Sequence, residues 1–316
     1  MMNTQKIYDT ITSTIIEMLE QHKKEGFNKS WYNVSDDRLF AYNRGSNHTY
    51  RGINQIVLQH IRNKFGYSYN GWLTFKQVSD LGGRINKGSK AAMVVYKSNL
   101  YLDKATGKNI TSLVLHLLKA GQSIEHLNYK KMGYMKGYAV FNISQIENLP
   151  TKYYQIEELE KMTEFERNEK AEFMINSTGA NIKYMAKNSA YYLPQSDEIH
   201  LPQRKQFKDE ESFYRTAFHE LGHWTGHEKR LNRNMSGVFG SKEYAFEELI
   251  AELNTAYINA FLGYNNSITN NVAYINSWLS IMRNDTKFIV SASSQAQKAS
   301  DCIFEFAEAH QLELTA

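Results

Sequence analysis

The second half of the chain carries the string Phe218-His219-Glu220-Leu221-Gly222-His223-Trp224-Thr225. Around it the pattern predicts a helix from Glu210 to Thr225, with Phe213, Ala217 and Leu221 as its core stripe. Two imidazoles four residues apart then lie one turn apart on one face, where both reach an ion about 2 Å away. Glu220, adjacent to the first histidine, is placed to hydrogen-bond a water on that ion and act as general base. A five-residue match also arises by chance on an exposed helix, so the neighbouring segments must supply the rest of the site.

Downstream, a loop rich in Asn, Ser and Gly (Asn232 to Ser241) leads into a helix expected from about Lys242 to Leu262. That helix carries Glu247-Glu-Leu-Ile-Ala-Glu252. A catalytic ion needs a third protein ligand and one open position. Glu248 is preferred as that ligand, with Glu252, one turn on, bracing a histidine from behind. The helical wheel does not decide among the acids, because Glu247 and Glu252 flank the apolar stripe and Glu248 lies further from its centre. His227 reads as a surface or loop histidine, and Tyr244, one of 21 tyrosines, as a packing residue rather than an oxyanion donor.

Upstream, Ala190 to Pro202 reads as a strand pair turning at Gln195 to Asp197, with an edge suited to an extended peptide. Pro194 and Pro202 are expected to confine both strands to edge positions, because proline cannot donate to a ladder.

The charge balance divides the chain. Residues 1–150 hold 20 Lys+Arg against 10 Asp+Glu, a balance of +10, and residues 151–316 hold 17 against 23, a balance of −6. Pro150 falls where the sign changes, so Asn148 to Thr151 is the expected boundary of two units, 1–150 and 151–316, with Glu157 to Glu172 as a helix or connector. The first unit opens with a helix from Thr4 to Lys24 and continues with a helix from Asn54 to Lys64 and strands at Ala91 to Tyr101 and Gly137 to Asn142. The expected class is α+β: an N-terminal α+β unit, then a mainly helical unit with a small sheet.

The basic unit interleaves cations and rings. Trp31, Tyr50, Trp72, Phe75 and Tyr96 alternate with Arg51, Lys76, Arg84, Lys87 and Lys90. Rings that stack on unpaired bases, with cations that follow phosphates, suit single-stranded DNA. Arg51, Trp72, Lys76, Arg84, Lys87 and Lys90 are the candidate DNA-binding residues. No run approaches 18 apolar residues, which gives no support for a membrane span. The first residues lack a secretory pattern, and the single Cys302, expected as a small buried hydrophobe, can neither form an internal disulfide nor build a thiolate site. The expected location is the cytoplasm.

Taken together, these motifs resemble the ArdC-type antirestriction proteins of conjugative plasmids and phages. The first unit is similar to the family's N-terminal single-stranded-DNA-binding domain at Tyr50-Arg-Gly-Ile-Asn54, Trp72-Leu-Thr-Phe-Lys-Gln77, Leu81-Gly-Gly83, Lys87-Gly88 and Val140-Phe-Asn142. The second is similar to its zincin-like metallopeptidase domain at Phe218 to Thr225, Arg230-Leu231 and Tyr244 to Glu252. Asn43-Arg-Gly-Ser-Asn47 replaces the family's usual Asn-x-x-Thr-Gly. The resemblance implies binding of single-stranded DNA and of a metal, with protection of incoming DNA from restriction. The expected cation is zinc, with another divalent ion such as Mn2+ as the alternative. The expected partners are single-stranded DNA and a protein or peptide substrate, either a restriction enzyme or a DNA-bound protein. The competing expectation is a non-catalytic DNA-binding shield in which the metal is structural.

Overall fold

The computed structural model describes residues 3–24, 39–156, 162–264 and 272–315. In chain order the first half forms α1 (Thr4–Lys24), β1 (Tyr42–Asn43), α2 (Ile53–Phe65), β2 (Gly71–Thr74), α3 (Phe75–Asp80), β3 (Arg84–Ile85), β4 (Ala92–Asp103), α4 (Thr111–Lys119), β5 (Tyr129–Asn142) and β6 (Ile146–Glu147). The second half forms α5 (Glu164–Ser177), β7 (Asn181–Met185), β8 (Tyr191–Leu193), β9 (Glu198–Pro202), α6 (Glu210–Trp224), α7 (Lys242–Leu262), α8 (Val272–Asn284) and α9 (Phe288–Thr315). The class is α+β, as expected.

The main sheet runs β1-β2-β5-β4, and its centrepiece is a long antiparallel hairpin paired without a break from Ala92↔Val140 to Asp103↔Tyr129. The strands extend further than the expected Ala91–Tyr101 and Gly137–Asn142, and α4 lies between them. On α1, Ile7, Ile11, Ile15, Met18 and Leu19 are all buried, the stripe that helical spacing predicted. That stripe does not pack only within its own half. The largest core cluster joins α1 and α2 to Leu249 and Leu253 of α7, Ile275 and Trp278 of α8, and Ala292 and Ala296 of α9.

A second cluster holds the C-terminal elements around α6, with Phe213, Phe218 and Leu221 against Ile199, Ile258 and Ile303. Here the small sheet differs from expectation in two ways. It has three strands in the order β7-β9-β8, with β7 parallel to β9. The strand ending in Pro202 is therefore central, not an edge. Proline is tolerated because it is the last residue of β9, paired only with Met185 at the end of β7. Pro194 follows β8, which is one of the two edge strands. Trp31, and residues 157–161 of the expected Glu157–Glu172 connector, lie outside the described residues; α5 covers the latter part of that connector.

Candidate metal centre

Asp209 starts α6 by accepting the Ser212 amide at 2.7 Å, and negative charge there complements the helix dipole. His219 and His223 follow on the face turned toward α7, with ring centroids 4.9 Å apart. Helix α7 crosses α6 closely at Gly222. A β-carbon built there would lie 3.0 Å from the Ala251 Cα and 3.1 Å from Asn254 Nδ2. The same Asn254 Nδ2 donates to the Phe218 carbonyl at 2.9 Å. The motif's glycine is thus a packing requirement that lets the two helices touch.

That contact brings in the acids. Glu248 Oε2 stands 3.5 Å from His219 Nε2, and its Oε1 stands 3.7 Å from His223 Nε2. One ligand atom each from His219, His223 and Glu248 lies within 4.8 Å of the others. Bonds of about 2.1 Å at tetrahedral angles set ligand atoms about 3.4 Å apart. The donor set and its spacing therefore fit a divalent cation. The opposite nitrogens are held from behind: His219 Nδ1 is 3.6 Å from Glu252, and His223 Nδ1 is 3.1 Å from Glu247. Each imidazole thereby turns Nε2 toward Glu248.

Of the three acids that the wheel left open, Glu248 faces both histidines' Nε2 atoms, while Glu252 and Glu247 each face one Nδ1. Glu247 is gripped by Arg233, whose Nε and Nη2 reach its two oxygens at 3.0 and 2.6 Å. Arg233 is itself fixed by donating to Thr225 Oγ1 and the Gly222 carbonyl at 2.8 and 2.7 Å. No motif pointed to Arg233; it sits in the Asn- and Ser-rich loop, and only the fold brings it beneath the site.

Glu220 is buried, 6% exposed, and burial pushes its carboxyl up from the ordinary range; the charges of His219 and His223 and a hydrogen bond from the Tyr192 amide oppose this. Burial disfavours the His219 cation, but Glu248, Glu252 and Glu220 outweigh it and push its pKa up to about 9. Glu248 is held below the ordinary carboxylate range: burial opposes ionisation, and His219 and His223 more than offset it. All these groups line one cavity of about 590 Å³, with β8 residues Tyr191 and Tyr192 on its wall. Tyr244 lines it too, its hydroxyl 3.0 Å from that of Tyr274. His227 lies beyond the end of α6, half-buried near Asp197, away from the donor set.

Comparison with known proteins matches both halves. Residues 5–141 match the N-terminal domain of anti-restriction factor ArdC, and residues 169–295 match a zincin-like metallopeptidase. The metal-free crystal structure of the antirestriction ArdC protein from plasmid R388 is 32% identical, with a TM-score of 0.71 over 96% of this chain and 98% of that one. Its Mn(II)-bound structure, 31% identical, gives the same TM-score over 95% and 97%. The chain belongs to the ArdC family of antirestriction proteins. The uncharacterized protein y4eC of Sinorhizobium fredii (strain NBRC 101917 / NGR234) is 31% identical over 93% of this chain and 90% of its own length. Two Escherichia coli proteins named DNA primase TraC are 30% identical over 95% of this chain, which spans only 27% and 20% of their lengths.

The expected DNA-binding residues fare differently from one another. Trp72 is corrected: its ring is fully buried in β2 against Leu58, Val94 and Val140, so no base can stack on it. A ring that completes a core and a ring that offers a platform look alike in sequence. Lys87 and Lys90 are exposed. Arg51 is paired with Asp301 of α9, Lys76 with Asp80 at 2.7 Å, and Arg84 with Glu147 at 2.6 Å. These cations sit on separate elements, and none of their described contacts joins two of them. Cys302, expected to be buried, is half-buried on α9. Among the described residues no helix is long and apolar enough to cross a membrane.

Proposed function

We propose that this protein is an antirestriction factor of a mobile genetic element that binds single-stranded DNA through its basic N-terminal unit, residues 1–150, and cleaves protein through a divalent-metal peptidase site in residues 151–316. The observation that carries the enzymatic half is the convergence of His219, His223 and Glu248 within one ion's reach, beside a buried Glu220. His219, His223 and Glu248 hold the cation, zinc in this reading with manganese as the alternative. When bound, it polarises a peptide carbonyl and lowers the pKa of water. Glu220 takes the proton from the attacking water and returns it to the leaving amine, and its upward-shifted carboxyl suits a base that must also act as an acid. The Tyr192 amide aims Glu220, and β8 leaves an edge along which an extended peptide can add as a strand. Glu247 and Glu252 keep the two imidazoles in orientation. On the DNA side, Arg51, Lys76, Arg84, Lys87 and Lys90 supply phosphate contacts.

The test is Glu220→Gln beside wild type, in protein cleavage and in protection of incoming DNA from restriction. The variant retains its metal and loses cleavage. Cleavage at the wild-type rate sinks the mechanism. Full protection of DNA by a variant that no longer cleaves leaves instead a DNA-binding shield whose metal is structural.

A further inference from the structure

The β4–β5 hairpin plays no part in the metal centre, yet one of its faces is built unusually. Directly opposed residues of an antiparallel pair share a face, which recurs every second residue. On one face Val94 opposes Tyr138, Tyr96 opposes Lys136, Ser98 opposes Tyr134, Leu100 opposes Met132, and Leu102 opposes Lys130. At the root of this face Ala92, Val94 and Val140 are buried under α2. Beyond them the cover ends: Tyr96 is 52% exposed, Tyr138 43% and Met132 41%. The Tyr96 and Tyr134 rings stand 6.5 Å apart, and the Lys136 ammonium lies 5.6 Å from the Tyr134 ring centroid. Residues 96–136 contain seven lysines and no arginine against Asp103 and Glu125, a balance of +5.

We propose that this hairpin face is a platform for single-stranded DNA, with Tyr96, Tyr134 and Tyr138 stacking on bases while Lys130 and Lys136 follow the backbone. The proposal rests on the DNA-binding reading above and adds to Tyr96, one of the rings singled out in the sequence, residues which that reading did not select. Charge sets the sign of the partner, and the rings set its kind. A duplex offers phosphates but hides its base faces, whereas a single strand offers both. The platform also supplies the stacking surface that buried Trp72 cannot.

The experiment is fluorescence anisotropy of a labelled oligodeoxythymidylate with the full chain, titrated with salt. Tyr96→Ala and Tyr134→Ala each weaken binding about tenfold, within the range for loss of one stacked base, while Tyr96→Phe keeps it. The Lys130→Gln, Lys136→Gln double variant flattens the slope of log affinity against log salt by about 1.4. Tyr96, Lys130 and Lys136 are exposed and Tyr134 is half-buried, so the thermal unfolding of each variant is measured beside binding as the folding control. Wild type that binds no oligonucleotide overturns the DNA-binding reading and this proposal with it. Wild type that binds, with ring variants that bind equally well, overturns the platform alone. So does a duplex or poly-L-glutamate that binds wild type as tightly as the strand does, since either marks a plain anion site.

Discussion

Replacing Gly222 with alanine tests the packing argument, because two principles predict opposite signs. Glycine inside a helix normally costs about 0.5–1 kcal/mol relative to alanine, so Gly222→Ala on a solvated helix stabilises. Here the new β-carbon meets the Ala251 Cα at 3.0 Å, Asn254 Nδ2 at 3.1 Å and the Ala251 Cβ at 3.4 Å. Carbon atoms rest comfortably at about 3.5–4.0 Å, so α7 must withdraw by roughly half an ångström or more. Ala251 is backbone on a buried helix and cannot rotate aside. Overpacking of this kind costs about 1–3 kcal/mol, which outweighs the helix-propensity gain. The same shift acts on the site, since His219 and His223 ride on α6 while Glu248 rides on α7. Metal sites hold their ligand distances to within about 0.2 Å, so a displacement of that size loosens the hold of Glu248, the proposed third ligand. The expected outcome is a lower melting temperature together with weaker metal binding, read by thermal unfolding and by titration against a competing chelator. A Gly222→Ala protein that melts higher and binds metal as tightly as wild type refutes the claim that this glycine sets the helix spacing.

Glu247→Gln keeps the side chain's shape but removes the charge that His223 Nδ1 and Arg233 share, and metal affinity falls about 10- to 100-fold with the fold retained; chelator competition reads this, and unchanged affinity shows that Glu247 does not orient the ligand. His60, 8% exposed with its Nε2 unpartnered among the described residues, is pushed down by burial to about 4. Its pKa is lower folded than unfolded, so the unfolded chain takes up the proton first and stability falls as pH drops from about 6.5 toward 4, by up to roughly 3 kcal/mol. Denaturant unfolding at pH 7 and pH 5 shows that loss in wild type and a smaller one in His60→Gln; identical losses exclude His60 as the source.

Local spacing carried much of the architecture. The α1 stripe and the extent of α7 follow from residues that touch within a few turns, and so does the pairing of His219 with His223. What escaped was non-local. The strand β7, Asn181-Ile-Lys-Tyr-Met185, is polar and alternating, and only its parallel partner β9 identifies it. The helical wheel could not choose among Glu247, Glu248 and Glu252 because it assumes one buried stripe. Helix α7 is wedged between α6 and α9 and buries residues on nearly every side, including both Glu247 and Glu248. A buried acid on such a helix is informative only once its partners are known.

Those partners explain why the donor set suits a divalent cation. Glu220, Glu247, Glu248 and Glu252 all line one cavity, where burial makes each negative charge expensive. Arg233 neutralises Glu247, and Arg215 stands 3.7 Å from Glu252. Glu248 has no arginine or lysine among its described ion pairs, only the two imidazoles. The carboxylate field accordingly keeps a proton on His219 up to a pKa of about 9. In the proposed reading His219, His223 and Glu248 would hold a divalent ion, whose charge would stand in for that proton beside Glu248. On that reading each acid has its job by what stands behind it: Glu247, backed by Arg233, braces His223, whereas Glu248, whose described ion pairs are with the two imidazoles alone, is left to coordinate.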